Sequence, residues 1–354
     1  MPDATESAET IRMIRDSARA VVPADGNLGR VRACRLGEMG FDRETFRSMA
    51  EMGWLGMALR EEAGGLAPGM GPLAALCETL GTGLVPEPLA GAVLACTMIE
   101  EPPAAMLSGE RIVLAAWQDE ANSLEWRHGA RLSGGNRVSG RKAFVPCAAG
   151  ADAFAVATGT GIAIVARDAR GLRLELTPTR DGGHFGELVM DDVEAEVLAG
   201  ADVDAALDAA ILCHAAYLLG VADAAFDMTL EYLRIRHQFG KPIGSFQALQ
   251  HRATDLKVRI ELTRASVGAA AVAMDGGSGS VPAAAIVSQA KARATDTAML
   301  VAREAIQMHG AIGFTDEYDV GLFARKAMAQ GNLFGSAALH RRRYASLVPM
   351  AEAA

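Results

Sequence analysis

Arg236-His237-Gln238-Phe239-Gly240-Lys241-Pro242-Ile243-Gly244-Ser245-Phe246-Gln247-Ala248-Leu249-Gln250 separates two runs that contain no proline. The run before it, Ala205 to Leu233, is rich in alanine and leucine. The run after it, His251 to Met274, ends at the stop signal Asp275-Gly276-Gly277-Ser278. Both runs read as long helices, so the stretch is a corner between them. It carries cations at Arg236 and Lys241, rings at Phe239 and Phe246, and amides at Gln238, Gln247 and Gln250. Cations, amides and flat rings at helix ends suit a planar ligand that bears phosphate. In an isolated corner the same residues read first as solvated corner groups and ordinary core aromatics.

A second stretch shifts that balance. Gln307-Met308-His309-Gly310-Ala311-Ile312-Gly313-Phe314-Thr315-Asp316-Glu317-Tyr318 also follows a long helical run and breaks it with two glycines. Together the two stretches resemble the acyl-CoA dehydrogenase family, flavoenzymes that desaturate acyl thioesters. The family pattern Arg-x-x-Phe-Gly-x-x-(Leu/Ile)-x-x-(Phe/His)-Gln is met by Arg236, Phe239, Gly240, Ile243, Phe246 and Gln247. Its Gln-x-x-Gly-Gly-x-Gly pattern is met by Gln307, Gly310 and Gly313, with Ala311 at the second glycine.

Composition bounds the class. The chain has 354 residues, half of them apolar but only 5% aromatic, so alanine, leucine, valine and methionine must supply the packing. A net charge of −9 argues against nucleic acid or an acidic membrane surface as partner. Five scattered cysteines, with no paired short spacing, fit reduced thiols of a cytoplasmic protein and offer no metal set. The amino-terminal residues Met1 to Glu6 show no signal-peptide pattern. No stretch approaches the run of about 18 apolar residues that proposes a membrane span.

Along the chain, residues 1–110 read as an amino-terminal helical domain, with Asp42 capping a helix to Met52 and another helix from about Pro72 to Gly81. Residues 111–203 read as a middle β domain. Its signals are the turn Gly134-Gly135-Asn136 and the runs Phe154-Ala155-Val156, Ile162 to Val165 and Leu172 to Leu176. Residues 204–354 return to helices and read as a carboxyl-terminal, four-helix-bundle-like domain. The expected class is therefore α+β multidomain with acyl-CoA dehydrogenase-like order.

The resemblance implies an FAD shared between subunits, an acyl-CoA substrate and an electron-transfer acceptor. It assigns to a neighbour's FAD the groups Arg236, Gln238, Phe239, Phe246, Gln247, Gln307, His309, Gly310 and Ala311. It also implies own-flavin pieces that this chain lacks. The family's Gly-rich Thr-Glu-Pro-Gly-Ala-Gly-Ser-Asp loop is replaced by Ala116-Trp117-Gln118-Asp119-Glu120-Ala121-Asn122-Ser123, and its Lys-x-Trp-Ile-Thr by Lys142-Ala143-Phe144-Val145-Pro146. The two family positions for the catalytic carboxylate hold Phe334 and Ala210. Asp204 and Asp208 lie near the latter but out of register on a helix. The expectation is a subunit of an FAD-dependent acyl-CoA dehydrogenase without its own catalytic glutamate. Three arrangements remain open: a chain that acts as an enzyme, a silent partner completing FAD sites in a sister subunit, or a homo-oligomer with an unrecognised base. His309 and His340 are equally readable as packed or solvated histidines, and His340-Arg341-Arg342-Arg343 as a solvated helix face.

Overall fold

The computed structural model describes residues 4–348 apart from Ser278, so Met1 to Asp3 and Ser278 of the turn signal lie outside it. Helices come first: α1 (Ala4–Ser17), α2 (Gly29–Cys34), α3 (Arg43–Glu51), α4 (Met70–Thr82), α5 (Leu89–Thr97) and α6 (Ala104–Leu107). Eight strands follow: β1 (Val113–Ala116), β2 (Ala130–Ser133), β3 (Arg137–Pro146), β4 (Ala153–Thr158), β5 (Gly161–Ala166), β6 (Leu172–Pro178), β7 (His184–Glu194) and β8 (Glu196–Leu198). The chain then returns to helices in α7 (Val203–Ile235), α8 (Gln247–Val272), α9 (Ala283–His309), α10 (Val320–Gln330) and α11 (Ala337–Leu347). Between α7 and α8 lies a miniature ladder of β9 (His237–Gln238) and β10 (Lys241–Pro242).

By proximity the chain forms two compact units, which do not follow chain order. One comprises Met1–Leu28, Ala74–Val85 and Ile211–Ala354; the other comprises Gly29–Leu73 and Pro86–Ala210.

The second unit contains both larger sheets. The first, ordered β1-β4-β5-β8, pairs β1 parallel to β4 and the rest antiparallel. Its central strands β4 and β5 are apolar along nearly their whole length and buried on both faces. Small alanines fill this interior, which is how a chain poor in aromatics packs a sheet: Ala153, Ala155, Ala157 and Ala163 are all fully buried. Helix α5 packs on β1. The second sheet, β2-β3-β7-β6, is antiparallel. Strands β2 and β3 meet through Gly134-Gly135-Asn136, with Ser133 opposite Arg137 and positive φ at Gly135 and Asn136. Strand β7 alternates buried and half-buried positions; on β6 the apolar face of the alternation Leu172-Arg173-Leu174-Glu175-Leu176 is only partly covered, with Leu172 and Leu174 half-buried and Leu176 exposed. At the start of α3, Asp42 Oδ1 accepts the Thr45 N–H at 2.6 Å, as its cap position predicts.

The first unit is a helical bundle organised on α9, against which α8, α10 and α11 all pack. Thr263 on α8 and Thr297 on α9 share a buried hydroxyl hydrogen bond of 2.8 Å. Helix α4 crosses α7 through a reciprocal glycine contact. A Cβ on Gly220 would lie 1.9 Å from Glu78 O, and one on Gly81 would lie 2.1 Å from Tyr217 O. Only hydrogen fits at either place. Helix α7 is long and apolar enough to cross a bilayer, but 89% of its most apolar stretch is buried within the protein. Hydropathy thus exceeds what the count of consecutive apolar residues suggested, and the cause is a core helix.

Candidate functional site

The last turn of α7 sends the chain into the Arg236 corner. The Arg236 N–H donates to Tyr232 O at 2.9 Å, and Ile243 N–H returns to Arg236 O at 2.8 Å. Between them β9 and β10 close on Phe239-Gly240, with φ of +55° and +78°. Positive φ at both central residues makes a type I′ hairpin turn, for which Gly240 is suited and Phe239 is not. Phe239 is held there at 91% exposure, so no burial compensates the backbone cost locally. Its ring meets Phe246 edge-on at 6.2 Å, and Lys241 Nζ lies 4.4 Å above the Phe246 ring.

Phe246 precedes the 26-residue helix α8, whose amino terminus has no side-chain cap. Orphan N–H groups at such an end attract anions. Arg236 and Gln247 are exposed beside it in sequence, and among the described residues the Arg236 guanidinium has no hydrogen-bond or ion-pair partner. Gln238 and Gln250 are less free: their amides donate to His237 O (2.7 Å) and Gly244 O (3.0 Å).

The second motif stands at the same end of the bundle. His309, the last residue of α9, stacks on Tyr232 at 4.4 Å and meets Tyr318 at 5.0 Å. Arg252 on α8 and Glu304 on α9 approach to 3.4 Å. Gln307 is exposed and lines a groove of 720 Å³ with Arg252, Phe314 and Met328. Gly310 adopts φ +66°, ψ −139°, a region reserved for glycine. Ala311 follows in a 3-10 turn without a positive φ, so alanine at the family's second glycine costs the backbone nothing. His309 points inward rather than toward this surface. It is 3% exposed, its Nδ1 donates to Ala305 O at 2.7 Å, and its Nε2 is buried without a partner. Burial lowers its pKa, opposed by the Ala305 bond, so it is the neutral ring that stacks on Tyr232. Tyr232 had no sequence signal beyond standing one helical turn before Arg236.

The two positions at which the resemblance places the family's base are apolar and closed. Ala210 is fully buried in α7. Phe334 lies in the turn between α10 and α11 with φ +57°, 2% exposed, its ring 5.5 Å from His214. Around it most polar groups are bonded to one another, although His340 Nδ1 is buried without a partner. Lys291 Nζ, wholly buried, donates to Thr295 Oγ1 (2.9 Å), Gly331 O (3.0 Å) and Gly335 O (3.1 Å). His340 Nε2 donates to Phe334 O at 2.7 Å, and His214 Nε2 to Gln330 O at 2.8 Å. Burial pushes Lys291 down to about 7, while its three oxygen partners favour the charged form. Burial, followed by the nearby Lys291 charge, lowers His214 to about 3 and His340 to about 4. His340 is fully buried and Arg343 half-buried, with Arg343 reaching Ser288 Oγ at 3.2 Å. The His340–Arg343 run is therefore not a solvated face throughout; its first member belongs to the core.

In the other unit, the loop standing where the family has its Gly-rich flavin loop is tied to itself. Lys142 is wholly buried and donates to Trp117 O (3.0 Å), Asp119 Oδ1 (2.5 Å) and Trp126 O (2.6 Å). Burial lowers its pKa while Asp119 raises it. Gln118 Nε2 donates to Glu120 O and Ser123 O at 3.0 and 3.1 Å. Asp204 accepts from Trp126 Nε1 (2.9 Å) and from Arg127 (2.5 Å), which makes it a structural partner of this loop. Phe144, φ +57°, marks a bulge in β3 before Pro146, which brings no N–H. Among the described residues no cluster could hold a metal ion.

Comparison with known proteins agrees with this geometry. Residues 8–102 match the acyl-CoA dehydrogenase N-terminal domain, and residues 202–348 match the acyl-CoA dehydrogenase C-terminal domain. The acyl-CoA dehydrogenase IpdE2 of Mycobacterium tuberculosis (strain ATCC 25618 / H37Rv) is 30% identical over 332 residues, spanning 93% of this chain and 94% of that protein. Among solved structures, the Tcur3481-Tcur3483 steroid ACAD superposes with a TM-score of 0.85 at 29% identity, over 96% of this chain and 98% of that one. The ChsE4-ChsE5 complex from Mycobacterium tuberculosis shares the fold with a TM-score of 0.84 at 24% identity, over 99% of both chains. The sequence, the order of its elements and these matches agree: the chain belongs to the acyl-CoA dehydrogenase family.

Proposed function

We propose that this chain is a subunit of a mixed-oligomer acyl-CoA dehydrogenase, completing FAD sites housed in a sister chain while its own flavin position is silent. The observation that carries this reading is the buried, carbonyl-pinned turn at Phe334, where the family has its base. A group that must take a proton from the substrate α-carbon has to reach it, and a phenylalanine has no proton acceptor. The closed 117–126 loop supports the same conclusion, because its inward donors already have partners.

The corner, by contrast, fits a phosphate-bearing cofactor. Among the described residues Arg236 has no internal partner, α8 has no side-chain cap at its amino terminus, and Gly310 keeps its backbone clear. Arg236 would neutralise pyrophosphate charge, Gln247 and Gln307 would orient polar edges, and Phe239 and Phe246 would exclude water. His309 would act from beneath, by fixing the end of α9 against Tyr232. Bound FAD supplies the hydride acceptor for α,β-desaturation of an acyl-CoA thioester. The sister chain would contribute the intact glutamate, and a separate electron-transfer protein would reoxidise the complex. Two relatives that are paired by name, one of them a steroid ACAD, support a mixed assembly and a bulky acyl group.

The test is flavin per chain by absorbance, for the chain alone and for its complex with a glutamate-bearing sister. The expected result is no retained FAD alone and about one FAD per two subunits in the complex. One FAD per chain in a homo-oligomer that turns over acyl-CoA would overturn the proposal and require an unrecognised base.

A further inference from the structure

A second basic site lies on the bundle, lined by residues outside the Arg236 and Gln307 motifs. Helices α8, α9 and α11 converge on a cleft of 420 Å³ that Arg259, Gln289, Arg293, Arg341 and Tyr344 help to line. Its one carboxylate, Asp296, is paired with Arg341. That leaves the charges of Arg259 and Arg293 uncompensated within the cleft. Among the described residues, neither guanidinium has a hydrogen-bond or ion-pair partner, and the same holds for the Gln289 amide and the Tyr344 hydroxyl. Arg293 is the decisive group. It is half-buried on α9, and its Nε is shielded from water without any acceptor.

A guanidinium N–H withdrawn from water and left unpaired is unfavourable, and an oxyanion is the acceptor its planar fork fits best. We infer that this cleft binds a phosphate group, with Arg293 and Arg259 as the charged clamp and Gln289 and Tyr344 as neutral donors. The cleft is several times larger than a phosphate ion, which leaves room for the organic part of a phosphate ester beside Tyr344. The inference does not depend on where FAD binds, because it rests on a different set of residues.

The experiment is calorimetric titration of the purified full chain at low, fixed ionic strength with inorganic phosphate and, separately, with adenosine 3′,5′-bisphosphate. Saturable binding of either probe is expected, and tighter binding of the bisphosphate would identify an ester as the preferred form. Arg293→Gln should weaken that binding about ten- to hundredfold, with an unchanged circular dichroism spectrum and unchanged flavin content in the complex. Arg236→Ala should leave phosphate binding at the cleft intact, which separates failure here from failure of the FAD reading. Absence of saturable binding, or equal affinity in Arg293→Gln, overturns the inference. So does a change of oligomeric state in Arg259→Glu without any phosphate binding, which would make the cleft a protein interface.

Discussion

Two of the left-handed phenylalanines, each followed by a left-handed glycine, stand in opposite surroundings. Phe239, φ +55°, tips the hairpin of the corner at 91% exposure; Phe334, φ +57°, is 2% exposed in the turn before α11. Around Phe239 the nearby Arg236 guanidinium has no partner among the described residues, and the helix end has no side-chain cap. Around Phe334 the carbonyls of residues 331, 334 and 335 are bonded to Lys291 or His340. The same strained conformation therefore serves opposite ends. One turn leaves polar groups open to solvent, and the other has its carbonyls bonded within the chain. This difference in satisfied groups is what sets the open corner apart from the closed turn.

The largest expected effect is on the closed turn. Lys291→Met strands the Gly335 carbonyl and leaves Gly331 O with only the Thr295 hydroxyl at 3.2 Å, and should cost roughly 3 kcal/mol in urea unfolding, with little change at the Arg236 corner. Unaltered stability would mean that the turn does not need its cation.

Acid should open the same region. The folded pKa of His340, about 4, lies below its unfolded value of about 6.5. The unfolded chain thus takes up the proton first as pH falls. Stability from this group is complete above pH 6.5 and is lost progressively toward pH 4, to the extent of about 3 kcal/mol. His214, lower still, adds loss in the same direction. Unfolding midpoints at pH 7 and pH 4.5 should converge in His340→Gln relative to the parent chain; an equal gap in both would remove His340 from the account.

At the open corner, Arg236→Ala should weaken FAD retention by the complex about ten- to hundredfold while leaving the thermal midpoint in place. A fall in midpoint without flavin loss would reclassify Arg236 as structural. The smallest effect is expected at the hairpin tip. Phe239→Asn relieves a left-handed aromatic and should stabilise the chain by up to about 1 kcal/mol, at the expense of flavin retention. Stabilisation with full flavin content would show that Phe239 is not held there for the cofactor.

The corner was legible because glycine and proline mark its breaks and its motif residues sit at fixed spacing. The β region was legible where alternation was clean, as at Leu172 to Leu176. Strand β7 was hidden, because Gly186 occupies one of its buried positions and breaks the apolar period. Lys142 and Lys291 were not legible as core residues. A lysine reads as surface, and five of the six oxygens they bond are backbone carbonyls or a hydroxyl, which carry no charge complementarity in the sequence. His340 was read with the three arginines that follow it, although a helix turns successive residues to different faces. Phe334 and Ala210 stood out in the sequence as apolar residues, but the Lys291 and His340 bonds that pin the turn around Phe334 did not.

The glycine contact between α4 and α7 has a consequence for how the chain is made. Gly81 meets a helix that leaves the ribosome roughly 140 residues later, a delay of roughly 7 to 28 seconds at 5–20 residues per second. Through that interval Leu76 and Leu80, buried in the finished protein, wait without α7, which meets their helix at Gly81 and Gly220. The nascent chain must therefore shelter an apolar segment of its first quarter until its last half has emerged, and the fold of the bundle is completed only from the far end.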